Sequence, residues 1–392
     1  MIRIPGFLGC GIPSGIKKNE KKDLGLIFSR VPAKAAGVFT TNIVKAAPVI
    51  LGMERIKKGF CQAIVVNSGN ANACTGKRGL EDAISTSRLV ARELGISESL
   101  VIPSSTGVIG VPLPMERIKK AIPKLVSNLR EDGFLDIAQA IMTTDRFPKY
   151  ASVEMRVDGK RGTISAIGKG AGMIAPQMAT MLCFILTDID VDQKALKRSL
   201  KNAVNNSFNR IIVDGDTSTN DTVLILSNGV LGNKPIKEGD RNYKRLEGAI
   251  TELGEEIAEM IVKDGEGATK VVRITVKGTR TKREADRVAR VLGSSLLVKT
   301  ALYGEDANWG RFLAAAGRAG VRFDPMKVDL YFGNFRVVRN GVEVMDEKKV
   351  NHILKQPSFP ITLDMKNGKS SSFVIASDIT MDYLKLNAHY RT

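Results

Sequence analysis

Apolar and polar positions along this chain switch between two periods, and the switches outline the secondary structure. Short apolar runs bounded by polar or turn residues predict strands at 26–29, 36–40, 63–67, 163–167, 181–186, 223–226 and 271–276. Apolar residues spaced three and four apart predict helices at 80–94, stopped by Gly95, and at 193–208, where Leu196, Leu200, Val204 and Phe208 share a face. A third helix pattern covers 244–262, with Leu246, Ile250, Leu253 and Ile257 inward, and ends at Asp264-Gly265. Strand and helix patterns alternate without an internal repeat, so the expected class is α/β, layered. Beyond residue 280 the texture changes to a helix (283–292), a strand (296–302), a helix (309–319) and three or four further strands. Asn367-Gly368, between two such strands, signals a hairpin. The chain divides on this reading into 1–280 and a smaller α+β domain, 281–392, whose last residues return to the first.

One junction stands out in the pattern. Gly170, Gly172 and Pro176 favour a bent loop, and the apolar run from Met181 to Leu186 reads as a buried strand. Between them, Thr180 opens the strand. A threonine so placed suits a chain that cuts itself, because the freed amine can then activate the hydroxyl beside it. The plainer reading is a loop threonine capping a strand.

Composition narrows the field. The 392 residues are 43% hydrophobic and 26% charged, ordinary for a globular protein. Nothing approaches the about 18 consecutive apolar residues of a membrane span. The first residues break at Pro5, Gly6, Gly9 and Gly11 before a signal-peptide core could form, so a cytoplasmic location is the default. Cys10, Cys61, Cys74 and Cys183 have no paired spacing and are expected to be buried free thiols rather than zinc ligands or disulfides. With only His352 and His389 present, histidine-based catalysis has little to draw on. The net charge of +18 invites a nucleic-acid reading, but the basic residues are scattered and aromatics make up only 5%. A solvated basic surface is the expectation, with neither nucleic acid nor membrane as partner.

Several polar turns carry candidate chemistry. Gly168-x-Gly170-x-Gly172 has the glycines of a dinucleotide loop without a following helix to receive a phosphate. In SSTGVIG (104–110), the Gly107 backbone N–H and the Thr106 hydroxyl could form an oxyanion hole, where losing one donor typically costs about 3–4 kcal/mol. The polar loops 66–74 and 213–222 read as self-hydrogen-bonded supports for a site, without calcium-loop spacing. Glu266, between Gly265 and Gly267 after a helix, either reaches a ligand ammonium or merely ends the helix.

Together KGAGMIAPQMATML, STGVIG, VDGDTSTNDT, DGEGATK, GEDANWGR and LNAHYRT resemble the ornithine acetyltransferase, or glutamate N-acetyltransferase, family over essentially the whole chain. Ala171, usually serine there, and His389 are small departures. The resemblance implies a self-processed N-terminal-nucleophile acyltransferase of arginine biosynthesis. Its expected fold is αββα-like, similar to Ntn hydrolases but with different connectivity, in a catalytic domain spanning 1–280. Cleavage between Ala179 and Thr180 would leave chains 1–179 and 180–392 associated, usually as two copies of each. By the same resemblance Thr180 is the nucleophile, and Thr106 and Gly107 form the oxyanion hole. Thr143 (or its neighbour Thr144), Lys169, Thr180, Glu266, Asn387 and Thr392 contact substrate. N-acetylornithine and glutamate are the implied substrates, with no cofactor or metal, and acetyl-CoA as a possible second donor. A self-processing aminopeptidase of similar fold is the alternative.

Overall fold

A computed structural model of the chain describes residues 3–18, 20–175 and 181–389. The first stretch runs β1 (Phe7–Ile12), β2 (Leu24–Phe39), α1 (Ala47–Arg55), β3 (Phe60–Asn70), α2 (Gly76–Leu94) and β4 (Val101–Val108). It continues through α3 (Met115–Ser127), α4 (Phe134–Ala140), β5 (Lys149–Val157), β6 (Lys160–Lys169) and β7 (Leu182–Thr187). Next come α5 (Gln193–Asn206), β8 (Ile211–Ile212), β9 (Thr222–Ser227), α6 (Arg241–Lys263) and β10 (Val271–Thr279). The remainder comprises α7 (Lys282–Ser294), α8 (Leu296–Tyr303), α9 (Trp309–Gly317), β11 (Asp329–Phe332), β12 (Phe335–Arg339) and β13 (Val342–Glu343). It ends with α10 (Asn351–Leu354), β14 (Ser358–Asp364), β15 (Ser370–Ser377) and α11 (Met381–His389).

Two sheets result, and the chain has the mixed α/β class expected of it. The first is ordered β4-β3-β2-β9-β7-β6-β5, with β1 beside β2; the second is β13-β12-β11-β14-β10-β15-β8. Strand β7 is the spine of the first sheet, parallel to β9 and antiparallel to β6. Its side chains alternate between faces, as the two-residue period of a strand requires. Cys183 and Ile185 join the core beneath α5 and α6, whereas Leu182, Phe184 and Leu186 join the opposite core with Phe134 and Ile137 of α4. Burial on both faces explains why this segment reads as an unbroken apolar run. Ile211, Val271 and Ile375 of the second sheet belong to the same core as α6, so that helix bridges the sheets.

Four sequence expectations need correction. The separate strands at 26–29 and 36–40 are one strand, β2, whose register shifts between Phe28 and Ala33. The polar, proline-containing Arg30-Val31-Pro32 looked like a gap because it is a bulge on one continuous strand. The 296–302 segment is a helix, not a strand: Val298, Ala301 and Leu302 are buried while Leu296 and Leu297 are exposed. Ser295 caps it by accepting from the Val298 N–H, a start signal that the apolar run masked. The Asn367-Gly368 turn does not close a hairpin. Strand β10 lies between β14 and β15, parallel to one and antiparallel to the other. The turn crosses over the end of β10, with the Asn367 N–H donating to Gly278 O at 2.6 Å. Asparagine-glycine specifies the bend, not which strands pair. Cys74, finally, is exposed, whereas Cys10, Cys61 and Cys183 are buried, all as free thiols.

The second sheet also takes in β8 and β10, so the chain enters it twice before residue 281. Among the described residues no helix is long and apolar enough to cross a membrane.

Candidate active site

The C-terminal ends of β4 and β6, the loop between β8 and β9, the turn after α6 and the last helix enclose a cavity of about 210 Å³. Strand β4 supplies Thr106 and Gly107. It pairs in parallel with β3, placing Gly107 beside Gly69. At φ +131°, Gly107 has no room for a side chain, since a Cβ would lie 2.4 Å from the Gly69 carbonyl carbon. Strand β6 ends at Lys169, only 3% exposed, whose ammonium donates to Thr106 Oγ1 at 3.2 Å. Thr106 accepts that bond and retains its own hydroxyl proton for donation.

Behind Lys169 sits a buried knot of charge. Asp145 accepts from Lys149 Nζ at 2.7 Å, from the Gly170 N–H at 2.8 Å and from the Thr143 N–H at 2.8 Å. Lys149, fully buried, also donates to Asp264 at 2.6 Å. Asp264 in turn accepts from the Arg146 side chain at 2.9 Å and from its backbone N–H at 3.0 Å. Burial alone would raise the Asp145 carboxyl, but Lys169 and Lys149 reverse that and hold it well below the usual carboxylate range. Burial likewise pushes the Lys169 ammonium down, opposed by Asp145 and reinforced by Lys149.

The opposite wall forms from the far end of the chain. Glu266 follows α6, and its N–H donates to Ala171 O at 2.9 Å. Its carboxylate lies so close to Gly172 that a Cβ there would meet Glu266 Cδ at 2.4 Å. Asn387, on α11, donates to Glu266 Oε2 at 2.9 Å. The same helix brings Tyr383 to the cavity. Burial, together with Asp214 and Glu266, raises the Tyr383 hydroxyl so that it stays protonated.

Of the residues singled out in the sequence, Thr106, Gly107, Thr143, Lys169, Glu266 and Asn387 line this one cavity, and Thr144 lines it beside Thr143. Ala179, Thr180 and Thr392 lie outside the described residues. Neither His352 nor His389 is part of the lining. Gly168 and Gly172 have a steric reason: Gly168 leaves room for Ile257, and Gly172 for Glu266. Sequence reasoning missed Asp145, Lys149, Asp214 and Tyr383. Asp214 stood within a motif already quoted and Asp145 directly follows Thr143-Thr144, but nothing local distinguished them from solvated acids. Among the described residues no cluster of His, Cys, Asp or Glu could hold a metal.

A layered α/β chain with buried hydroxyl, ammonium and carboxylate groups around a strand-end cavity has the build of a small-molecule enzyme. The sequence profile of the ArgJ family matches residues 9–392, and the chain belongs to that family of arginine-biosynthesis proteins. The arginine biosynthesis bifunctional protein ArgJ of Geobacter sulfurreducens is 49% identical over all of both chains. The protein of the same name from Symbiobacterium thermophilum is 48% identical over 99% of this chain and 97% of its own. A crystal structure of the Bacillus halodurans protein, also named arginine biosynthesis bifunctional protein, aligns with a TM-score of 0.51 at 33% identity. That alignment covers 53% of this chain and 98% of the solved one.

Proposed function

We propose that this chain cuts itself between Ala179 and Thr180 and then moves acetyl groups from N2-acetyl-L-ornithine to L-glutamate through an acetyl ester on Thr180. The observation that carries this reading is the convergence of Thr106, Gly107, Lys169, Glu266 and Asn387, drawn from distant stretches, on one cavity. The Bacillus halodurans chain matches about half of this one at nearly its full length, as a product of a mid-chain cut would.

In self-processing, Thr180 Oγ attacks the Ala179 carbonyl. The acyl group shifts from nitrogen to oxygen, and water hydrolyses the ester to free the Ala179 carboxylate and the Thr180 amine. An unperturbed α-amine has a pKa of about 7.7–8, so a useful fraction is neutral near pH 7 and can take the hydroxyl proton. Attack on N-acetylornithine then forms a tetrahedral oxyanion that the Thr106 hydroxyl and Gly107 N–H would receive. Lys169, bonded to Thr106, orients that hydroxyl and adds positive charge. Collapse returns the proton to the departing ornithine amine and leaves acetyl on Thr180. The glutamate amine attacks the ester, gives up a proton to the Thr180 amine and leaves as N-acetylglutamate. Glu266, steadied by Asn387, faces the cavity where the side-chain ammonium of ornithine would sit. The word bifunctional in the relatives' shared name supports a second activity, glutamate acetylation from acetyl-CoA. The mature form expected is two copies of each cleaved chain.

Intact mass spectrometry tests the first step. Wild type should give two fragments meeting at Ala179/Thr180, and Thr180→Ala should stay whole. In the cleaved protein, acetyl transfer to glutamate should outrun release of free acetate. Dominant acetate release would point to a hydrolase of the aminopeptidase kind instead.

A further inference from the structure

The polar loop 213–221 has a place in the molecule that its sequence did not reveal. It leaves β8 in the second sheet and enters β9 in the first, crossing beside the cavity. An aspartate stands near each end. Asp214 accepts from the N–H groups of Met173 and Ile174, at 2.5 and 2.8 Å, on the arm that precedes the proposed cut. The Val213 N–H returns a bond to Ile174 O at 2.9 Å. Met173 is held at φ +58°, a left-handed bend that a non-glycine residue adopts only when its surroundings impose it. On the other arm, the Asp221 carboxylate accepts from the Met181 N–H at 3.0 Å, and the Thr222 N–H donates to Met181 O at 3.1 Å. Met181 is thus gripped on both sides of its residue. Asp221 is fully buried.

We propose that the 213–221 loop is the clamp that holds the two arms of the junction for self-cleavage, with Asp214 and Asp221 as positioning residues on those arms. The inference rests on the self-cleavage reading above. It adds that the cut needs this loop in addition to the nucleophile and the oxyanion hole. An N-to-O shift requires the threonine oxygen to meet the preceding carbonyl carbon in an aligned near-attack geometry, and anchoring the arms on either side favours that alignment. Residues 173–174 and 181 are thereby fixed to one short loop. Burial holds the Asp221 carboxyl well above its ordinary range, against the pull of the Met181 N–H, Lys169 and the Thr40 side chain. An asparagine there keeps the acceptor for the Met181 N–H.

The test follows fragment formation by intact mass in freshly folded full-length precursor, for wild type, Asp221→Asn, Asp221→Leu and Asp214→Ala. Circular dichroism and thermal midpoints accompany each variant. Asp221→Asn should cut within about threefold of wild type. Asp221→Leu and Asp214→Ala, folded but lacking their acceptors, should each slow cutting by about tenfold or more, the scale of one positioned hydrogen bond. Equal rates for folded Asp221→Leu and wild type would overturn the clamp while leaving self-cleavage intact. An uncut wild type would overturn self-cleavage itself, and the clamp with it. Should the leucine variant not fold, Asp221→Ala carries the same comparison. If neither folds while Asp221→Asn does, Asp221 is a folding determinant and the clamp is overturned.

Discussion

The two walls of the cavity are built to different standards. One consists of strand ends: Thr106 and Gly107 at the end of β4, and Lys169 at the end of β6, all held by sheet hydrogen bonds and backed by the Asp145–Lys149–Asp264 knot. The other is Glu266 on a turn and Asn387 on α11, a helix with no buried residue, tied down by the Asn387–Glu266 bond and by Thr380 Oγ1 donating to Gly267 O at 2.8 Å. The difference matches the work proposed for each wall. Groups that stabilise a developing charge must be fixed before it forms, because any reorganisation adds to the barrier. Groups that recognise a substrate can settle as it binds.

Breaking the strand wall should cost the most. Lys149→Met leaves Asp145 and Asp264 buried without their shared cation, and removing one partner of a buried ion pair typically costs about 3–5 kcal/mol. Urea unfolding would read this, and a loss below about 1 kcal/mol would mean that the knot carries little. Gly107→Ala comes next: its Cβ must displace the Gly69–Asn70 backbone, so acetyl transfer should fall by about 100-fold or more with substrate affinity less affected.

The tail wall predicts smaller effects of another kind. Glu266→Gln should raise KM for N-acetylornithine by about tenfold, the value of one charge-assisted contact, and lower kcat much less. Asn387→Ala should shift the same KM by about threefold through loss of a single steadying bond. If either tail variant depressed kcat as strongly as Gly107→Ala, the division of labour between the walls would fail.

A pH comparison sharpens the contrast most gently. Asp145 is held below its ordinary value of 3.8, so in the folded state it contributes stability that is full above that pH and drains as pH falls below it. The stability gap between wild type and Asp145→Asn should therefore be widest near neutrality and narrow as the solution is acidified below about pH 4. Denaturation midpoints of both proteins at several pH values would check the sign.

Strands and helices with a clear period were legible in the chain itself. The doubly buried run of β7 and the helix patterns behind α2, α5 and α6 all lie where periodicity placed them. Where reading failed, a local signal had two structural meanings. Ser295 could cap a helix or precede a strand, Pro32 could end a strand or sit in a bulge, and Asn367-Gly368 could turn a hairpin or carry the chain over a third strand.

The sequence by itself determined the α/β class, the position of the Thr180 junction between a glycine-rich loop and an apolar strand, and the motifs that place the chain in its family. These are local properties, set by side-chain period, turn chemistry and residue identity. Only the tertiary structure decided that Thr106, Lys169, Glu266 and Asn387 share a cavity, that Lys149 links Asp145 to Asp264, and that one loop grips both arms of the junction. Burial and charge pairing between residues far apart in the chain have no local signature. The same residue type is pushed in opposite directions at two places: the Asp145 carboxyl is held down beside two lysines, and the Asp221 carboxyl is held up where burial prevails over the single lysine within reach.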